Sequence, residues 1–288
     1  MIRSASIHPS AHSSASPRAV ALAVLLAFAC GQAAAQEGKE RDEPLVSDRP
    51  DFVEASEVVG KGRVQLETGL LSERARGDDG EGRERTLSTP TLLRIGIHDA
   101  LELRIESEGR TVRHIRDAET GGRRTLAGYA DTSVGLSWHL ADASGSLPSI
   151  GALVDAELPT GSQRLRGEGV RPMLRLVGEW DLAGGVQLGV MPGIAVEREG
   201  KDGHGEGRYS YGLFGVAVEK RLGERLSGFA ELALPQIASG RHGGTQASAG
   251  IGLAYLLSND CQVDTMFSRG LNHRTPYASF TVGLSIRR

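Results

Sequence analysis

The sequence predicts an all-β protein, a closed antiparallel transmembrane β-barrel of about twelve strands with both termini periplasmic. Three observations carry that expectation. Segments of about ten residues alternate apolar and polar side chains with a period of two. The links between them alternate long and short. Strands also repeat one ending, Gly-x-x-aromatic-x-Leu, in Gly135-Leu136-Ser137-Trp138-His139-Leu140 and Gly252-Leu253-Ala254-Tyr255-Leu256-Leu257. A ring held at one depth suits a membrane–water interface, where an amphipathic aromatic sits at headgroup level.

The chain opens with the pattern of an export signal. Arg3 and Arg18 precede the apolar run Ala19–Ala29, no acid occurs before Glu37, and Ala33-Ala34-Ala35 offers a small-residue cleavage site before Gln36. The run falls short of the roughly 20 residues a spanning helix needs. Residues 1–35 are therefore expected to be removed, and Cys30 sits in a poor context for lipid attachment. Removal takes away two positive charges, so the net charge of −3 becomes −3 − 2 = −5. That acidity disfavours a nucleic-acid partner. Cys261 is then the single cysteine, and no intramolecular disulfide is expected. Glycine is abundant, 39 of 288 residues, and the mean hydropathy of −0.22 is compatible with a barrel, whose lipid-facing residues are only every second one.

Residues 36–61 read as a periplasmic N-terminal segment and 62–288 as the barrel. Strands are expected near 63–73, 86–97, 100–108, 126–140, 149–159, 171–182, 186–197, 208–221, 226–234, 245–257, 261–270 and 277–286. Within them, Leu101, Leu103 and Ile105 alternate with Glu102, Arg104 and Glu106; Ile150, Ala152, Val154 and Ala156 alternate with Gly151, Leu153, Asp155 and Glu157. The long, charged, Gly-rich links are Glu73–Arg85, Gly109–Arg124, Thr160–Gly169, Glu197–Gly207 and Pro235–Gly244. The short ones are His98-Asp99, Ala183–Gly185, Gly223–Arg225 and Ser258–Asp260, with Asp142–Pro148 somewhat longer. Long outside loops and short periplasmic turns are the pattern of outer-membrane barrels. Trp138, Trp180 and Tyr255 then fall on apolar faces near periplasmic strand ends, as an inner aromatic girdle facing membrane lipids. A soluble sandwich also buries such rings, but gives no reason for the loop alternation.

The stretch Ser47-Asp48-Arg49-Pro50-Asp51-Phe52-Val53-Glu54, followed by Gln65-Leu66-Glu67-Thr68-Gly69, resembles the opening of a bacterial outer-membrane barrel family. The family is catalogued as transporters, the "MetA-pathway of phenol degradation" family. The resemblance continues through Asp131-Thr132-Ser133-Val134-Gly135-Leu136, Leu158-Pro159-Thr160-Gly161-Ser162, Gly252–Leu257 and Asp264. It covers the chain from about residue 47 to the end, with Asp-Arg-Pro-Asp its most specific piece. What the resemblance implies is passage of small solutes, aromatic or apolar ones included, across the outer membrane. One departure stands out. Such barrels usually finish on an aromatic that the assembly machinery reads, whereas this chain ends Ile286-Arg287-Arg288, with Phe280 the nearest aromatic on that outward face.

If the apolar rows face lipid, the intervening rows face the lumen. Glu67, Glu102, Arg104, Glu106, Asp155, Glu157 and Arg175 are then the candidates for setting selectivity, because rings of carboxylates favour cations. The competing reading is structural: charges of both signs in a narrow barrel pair and hold it rigid. Asp48, Arg49 and Asp51 precede the first strand and suggest a latch, with Arg49 pairing a luminal carboxylate, or else a cap on the periplasmic rim. No cofactor, metal site or enzymatic activity is expected. Ser137 and His139, with Asp131 on the same strand face, would be the pair for a lipid-acting enzyme, but they point inward and sit about 7 Å apart along the strand. His204 and His242 lie on outside loops and make no metal motif. A structural or surface-interaction barrel without transport is the other reading.

Overall fold

The computed structural model describes residues 43–76, 82–118, 120–198 and 207–288. The expected signal, residues 36–42 and His204 lie outside them. In chain order the strands are β1 (Val64–Arg76), β2 (Arg83–Ser88), β3 (Thr91–His98), β4 (Leu101–Ser107), β5 (Arg110–Arg116), β6 (Arg123–Tyr129), β7 (Thr132–Ala141) and β8 (Ser149–Leu158). They continue with β9 (Arg171–Leu182), β10 (Val186–Arg198), β11 (Arg208–Arg221), β12 (Leu226–Ile237), β13 (Gln246–Ser258), β14 (Cys261–Gly270) and β15 (Ala278–Arg287). The one helical turn among the described residues is the 3₁₀ turn Gly240–His242.

Twelve of these strands form a closed antiparallel barrel in the order β1-β3-β4-β7-β8-β9-β10-β11-β12-β13-β14-β15, and β15 pairs back onto β1 from Gln65↔Arg287 to Arg74↔Ala278. Closure leaves no unpaired strand edge around the wall, which a hydrocarbon environment requires. The alternation decides the faces. On β8, Leu153 and Asp155 are buried inside while Val154 is 57% exposed outside; on β13, Ile251 is 66% exposed. Leu136, Leu176, Ile194, Leu253, Phe267 and Phe280 extend the same exposed apolar belt. So large a continuous apolar surface is stable only against lipid. Trp138 and Tyr255 are exposed on that face, and Trp180 is half-buried there, all close to the short turns.

Short turns close one end: Asp99-Ala100, Ala183–Gly185, Leu222–Arg225 and Asn259-Asp260, with Asp142–Pro148 longer. In Ala183-Gly184-Gly185 two successive residues take positive φ (79° and 70°), a bend that glycine makes without steric cost.

The long-loop end departs from the expectation. The stretch 86–97 is two strands, β2 and β3, interrupted at Thr89-Pro90, where proline offers no N–H to the ladder. The stretch 126–140 is likewise divided into β6 and β7. At the break, the Asp131 carboxylate accepts hydrogen bonds from Gly161 N (2.7 Å) and Gly167 N (2.8 Å). Much of the link Gly109–Arg124 is not loop but the hairpin β5–β6. The upper half of β1 with β2, β5 and β6 thus forms a four-stranded sheet that projects beyond the barrel.

Candidate functional site

The lumen at the short-turn end holds the chain's own N-terminal segment. Residues 44–62 run between the walls before the chain enters β1, and Leu45, Asp48, Val53, Glu54, Ala55, Ser56 and Val59 are buried. The wall makes room for it with glycines. A Cβ on Gly96 would strike the Gly60 carbonyl, one on Gly151 the Ser56 backbone, and ones on Gly69 and Gly283 the Arg49 guanidinium. Gly215 faces Val53 and Phe52 in the same way.

Charge seats the segment. Asp48 pairs with Arg104 (2.5 Å) and Arg94 (3.3 Å). Glu54 pairs with Arg104 (2.6 Å) and with Arg175, which also holds Asp155 at 2.7 Å. Glu102 binds Arg94 (2.8 Å) and Arg104 (3.1 Å) and accepts a hydrogen bond from Val59 N (2.9 Å). Glu67 pairs with Arg94 (3.2 Å) and accepts from Ser47 Oγ (2.8 Å) and Asp48 N (3.1 Å). Arg94 in turn donates to the carbonyls of Val46 (3.1 Å) and Glu57 (2.9 Å). Burial pushes the Asp48 carboxyl upward, but the two guanidiniums outweigh it and hold the group below the usual carboxylate range.

Carboxylates of the wall also satisfy the segment's backbone. Glu231 accepts from Phe52 N (2.5 Å) and Val53 N (3.1 Å). Glu179 accepts from Ser56 N (2.7 Å) and Ser56 Oγ. Arg49 reaches Asp264 (3.4 Å) and donates to Thr281 Oγ1 (2.9 Å). Arg287, beside the chain's end, binds Asp260 (2.8 Å) and the carbonyl of Glu43 (2.7 Å). An unpaired carboxylate or guanidinium is costly at this burial, and most charges of the seat are paired between segment and wall.

Two cavities flank this seat. One of about 450 Å³ opens among the segment and β10–β13 at the short-turn end, lined by Asp51, Glu179, Gln187, Glu219 and Arg49. Burial and the neighbouring Glu231 carboxylate push Asp51 well above its ordinary value. The other, about 190 Å³, lies toward the long loops and is lined by Glu106, Glu108, Asp131, Glu157, Arg171, Glu197 and Tyr211. Between them Val53 packs with Leu153, Val177, Met191 and Leu213 in one fully buried apolar layer.

The seven luminal candidates therefore divide by height. Glu67, Glu102, Arg104, Asp155 and Arg175 are brought together around the segment, whereas Glu106 lines the upper cavity. There Glu157 also pairs with Arg171 at 2.8 Å. Asp48 and Arg49 make ion pairs, and Asp51 lines a cavity. Glu54 and Arg94 stand outside the seven selectivity candidates; strand alternation already puts Arg94 in the luminal row, and Glu54 lies in the eight-residue stretch that opens with Ser47. Ser137 and His139 form no pair. Ser137 Oγ is buried without a hydrogen-bond partner, and His139 contacts the Ser56 carbonyl (3.0 Å) and Asp142 (2.9 Å). No three metal-ligating side chains gather among the described residues.

Solved structures share the architecture at low identity. An outer membrane channel from Pseudomonas putida F1 superposes with a TM-score of 0.58 and 12% identity over 85% of this chain and 99% of that one. The translocator domain of autotransporter NalP from Neisseria meningitidis gives 0.51 and 12% over 78% and 87%. The β-domain of the Bordetella autotransporter BrkA gives 0.50 and 12% over 78% and 99%. These likenesses establish the fold, a closed antiparallel β-barrel. None of the curated proteins compared with the sequence matches it. A family model does match, across residues 47–287 and so from the Asp-Arg-Pro-Asp segment through the closing strand, and the chain belongs to the family described as "Putative MetA-pathway of phenol degradation".

Proposed function

We propose that the protein is a channel of the Gram-negative outer membrane for small solutes, aromatic or apolar ones included. Its short-turn rim faces the periplasm, and the N-terminal segment controls the passage. The observation that carries this reading is the seat itself. A covalently attached segment occupies the lumen through ion pairs and backbone hydrogen bonds to the wall, and cavities of solute size lie on both sides of it. The layer of Val53, Leu153, Val177, Met191 and Leu213 favours apolar cargo, because a dry constriction resists hydrated ions. The carboxylates of the upper cavity favour cations over anions among charged solutes. No step of this reading needs a cofactor or catalysis.

A sealed barrel that acts only through its surface is the second reading, and the number of ion pairs in the seat supports it. Planar-bilayer conductance and liposome uptake of small aromatics separate the two. The protein lacking residues 45–60 is compared with the full chain, and closure of the barrel is checked by heat-modifiable gel mobility. A severalfold rise in conductance and uptake supports a gating segment. A closed barrel whose flux stays at the lipid background in both forms removes the channel.

A further inference from the structure

The projecting sheet carries an array of arginines on its outward face. In β1 the side chains of even number point away from the lumen, as the burial of Gln65 and Glu67 and the exposure of Val64 and Leu66 show. Cross-strand partners share a face. The register Arg76↔Arg83, Arg83↔Arg116 and Arg116↔Arg123 therefore aligns four guanidiniums side by side across four strands. The next row toward the barrel is Arg74, Arg85, His114 and Thr125, and below it lies Ser72, Leu87, Val112 and Ala127. Arg110 stands opposite Tyr129, its guanidinium 6.0 Å from the ring centroid.

All seven arginines and His114 are exposed, and no acidic side chain of the four strands shares their face. The acids of the sheet point the other way; Glu84 there pairs with Arg113 at 2.9 Å. The connecting residues 77–81, with Asp78, Asp79 and Glu81, lie outside the described residues. The β5–β6 turn adds Asp117 and, outside the described residues, Glu119. Even these five carboxylates against seven guanidiniums would leave two in excess. Like charges directly opposite across strands are destabilising, so an array of this kind in water works against the sheet that carries it. A bound polyanion reverses the sign of that contribution.

Position identifies the anion. The same face grades from the lipid-facing belt through Leu87, Val112 and Tyr129 to the arginine rows. Arg110 lies just below the apolar row beside Tyr129. Two residues along a strand advance about 7 Å, so the guanidiniums of the two outer rows stand roughly 7–14 Å beyond the apolar row. That is headgroup depth. The basic residues of the array, His114 apart, are arginine throughout, whose planar fork binds phosphate through two donors where lysine offers a point charge.

We infer that this face binds the phosphate groups of the outer-leaflet glycolipid, lipopolysaccharide. The inference rests on the membrane reading above with the long-loop end outward, but not on whether the barrel conducts.

The test is the affinity of the refolded full chain for purified lipopolysaccharide, for its enzymatically dephosphorylated form, and for heparin as a soluble polyanion. The quadruple variant Arg76→Gln/Arg83→Gln/Arg116→Gln/Arg123→Gln is compared with Arg164→Gln/Arg166→Gln, two exposed arginines at the same end off the sheet. A loss of at least tenfold in the quadruple variant and with dephosphorylated lipid, and little change in the control, is the expected result. Should the quadruple variant fail to fold by heat-modifiable mobility, Arg116→Gln/Arg123→Gln on the outer two strands carries the same prediction at severalfold. Unchanged affinity in the folded variants, an equal loss in the control, or heparin bound more tightly than lipopolysaccharide would each overturn the inference, the last in favour of a soluble polyanion. Labelling of Gly122→Cys from outside intact cells checks the orientation; no labelling would overturn it too. Conductance on the same preparations reports separately on the channel.

Discussion

Arg104 shows how the seat works at the scale of one residue. Its guanidinium touches Asp48 and Glu54 from the segment and Glu102 from its own strand, so it joins two parts of the chain. Buried ion pairs add little net stability over an apolar packing, but removing one partner strands the others. Arg104→Ala is expected to cost about 3–5 kcal/mol, read by denaturant unfolding in micelles, because three carboxylates lose a shared cation. Asp51 behaves oppositely. Its folded value is raised by burial and by Glu231, so the stability it contributes is complete below the ordinary ~3.9 of an aspartate and is lost as pH rises through the folded value. Asp51→Asn is therefore expected to melt with the parent near pH 4 and above it at pH 8. A lower melting temperature for the variant at pH 8 would count against that account.

At the scale of elements, the segment and the wall are fitted to each other by small residues as much as by charge. Gly96 abuts Gly60, and the Gly62 N–H donates to the Gly96 carbonyl at 2.8 Å, where the segment turns into β1. A methyl group at residue 96 meets backbone rather than a flexible side chain, so the segment must shift. Gly96→Ala is expected to cost about 1–3 kcal/mol and to open residues 43–60 to limited proteolysis. Gly223→Ala, with open space around its turn, should change neither. The strands of the wall were legible because Leu101–Glu106 and Ile150–Glu157 alternate cleanly. The projecting strands were not, because Arg110–Arg116 and Arg123–Tyr129 carry the charge of a loop; their pairing comes from extending β1 and β2, a non-local cause that periodicity does not register. Asp48-Arg49-Pro50-Asp51 was legible as a latch or cap, yet its partners lie up to 232 residues away in Asp264 and Thr281, and only closure of the barrel brings them close.

The whole molecule separates two tasks that the sequence presents as one row of charges. Counted along the strands, Glu102 and Glu106 look equivalent, four residues apart on one face. The barrel puts Glu102 under the N-terminal segment, consumed by Arg94, Arg104 and Val59 N, while Glu106 lines the upper cavity with Glu108, Asp131, Glu157 and Glu197 around the single guanidinium of Arg171. A carboxylate already paired contributes little field to a passing ion, whereas a surplus of carboxylates around open space does. Cation preference should therefore follow the upper group. Reversal potentials in a salt gradient are expected to move toward nonselective for Glu106→Gln/Glu157→Gln, with unfolding little changed. Glu102→Gln should instead lower stability by about 1–3 kcal/mol and leave the reversal potential nearly where it was. Equal shifts in the two variants would mean that the segment leaves its seat when the barrel conducts, so that Glu102 also faces the ions.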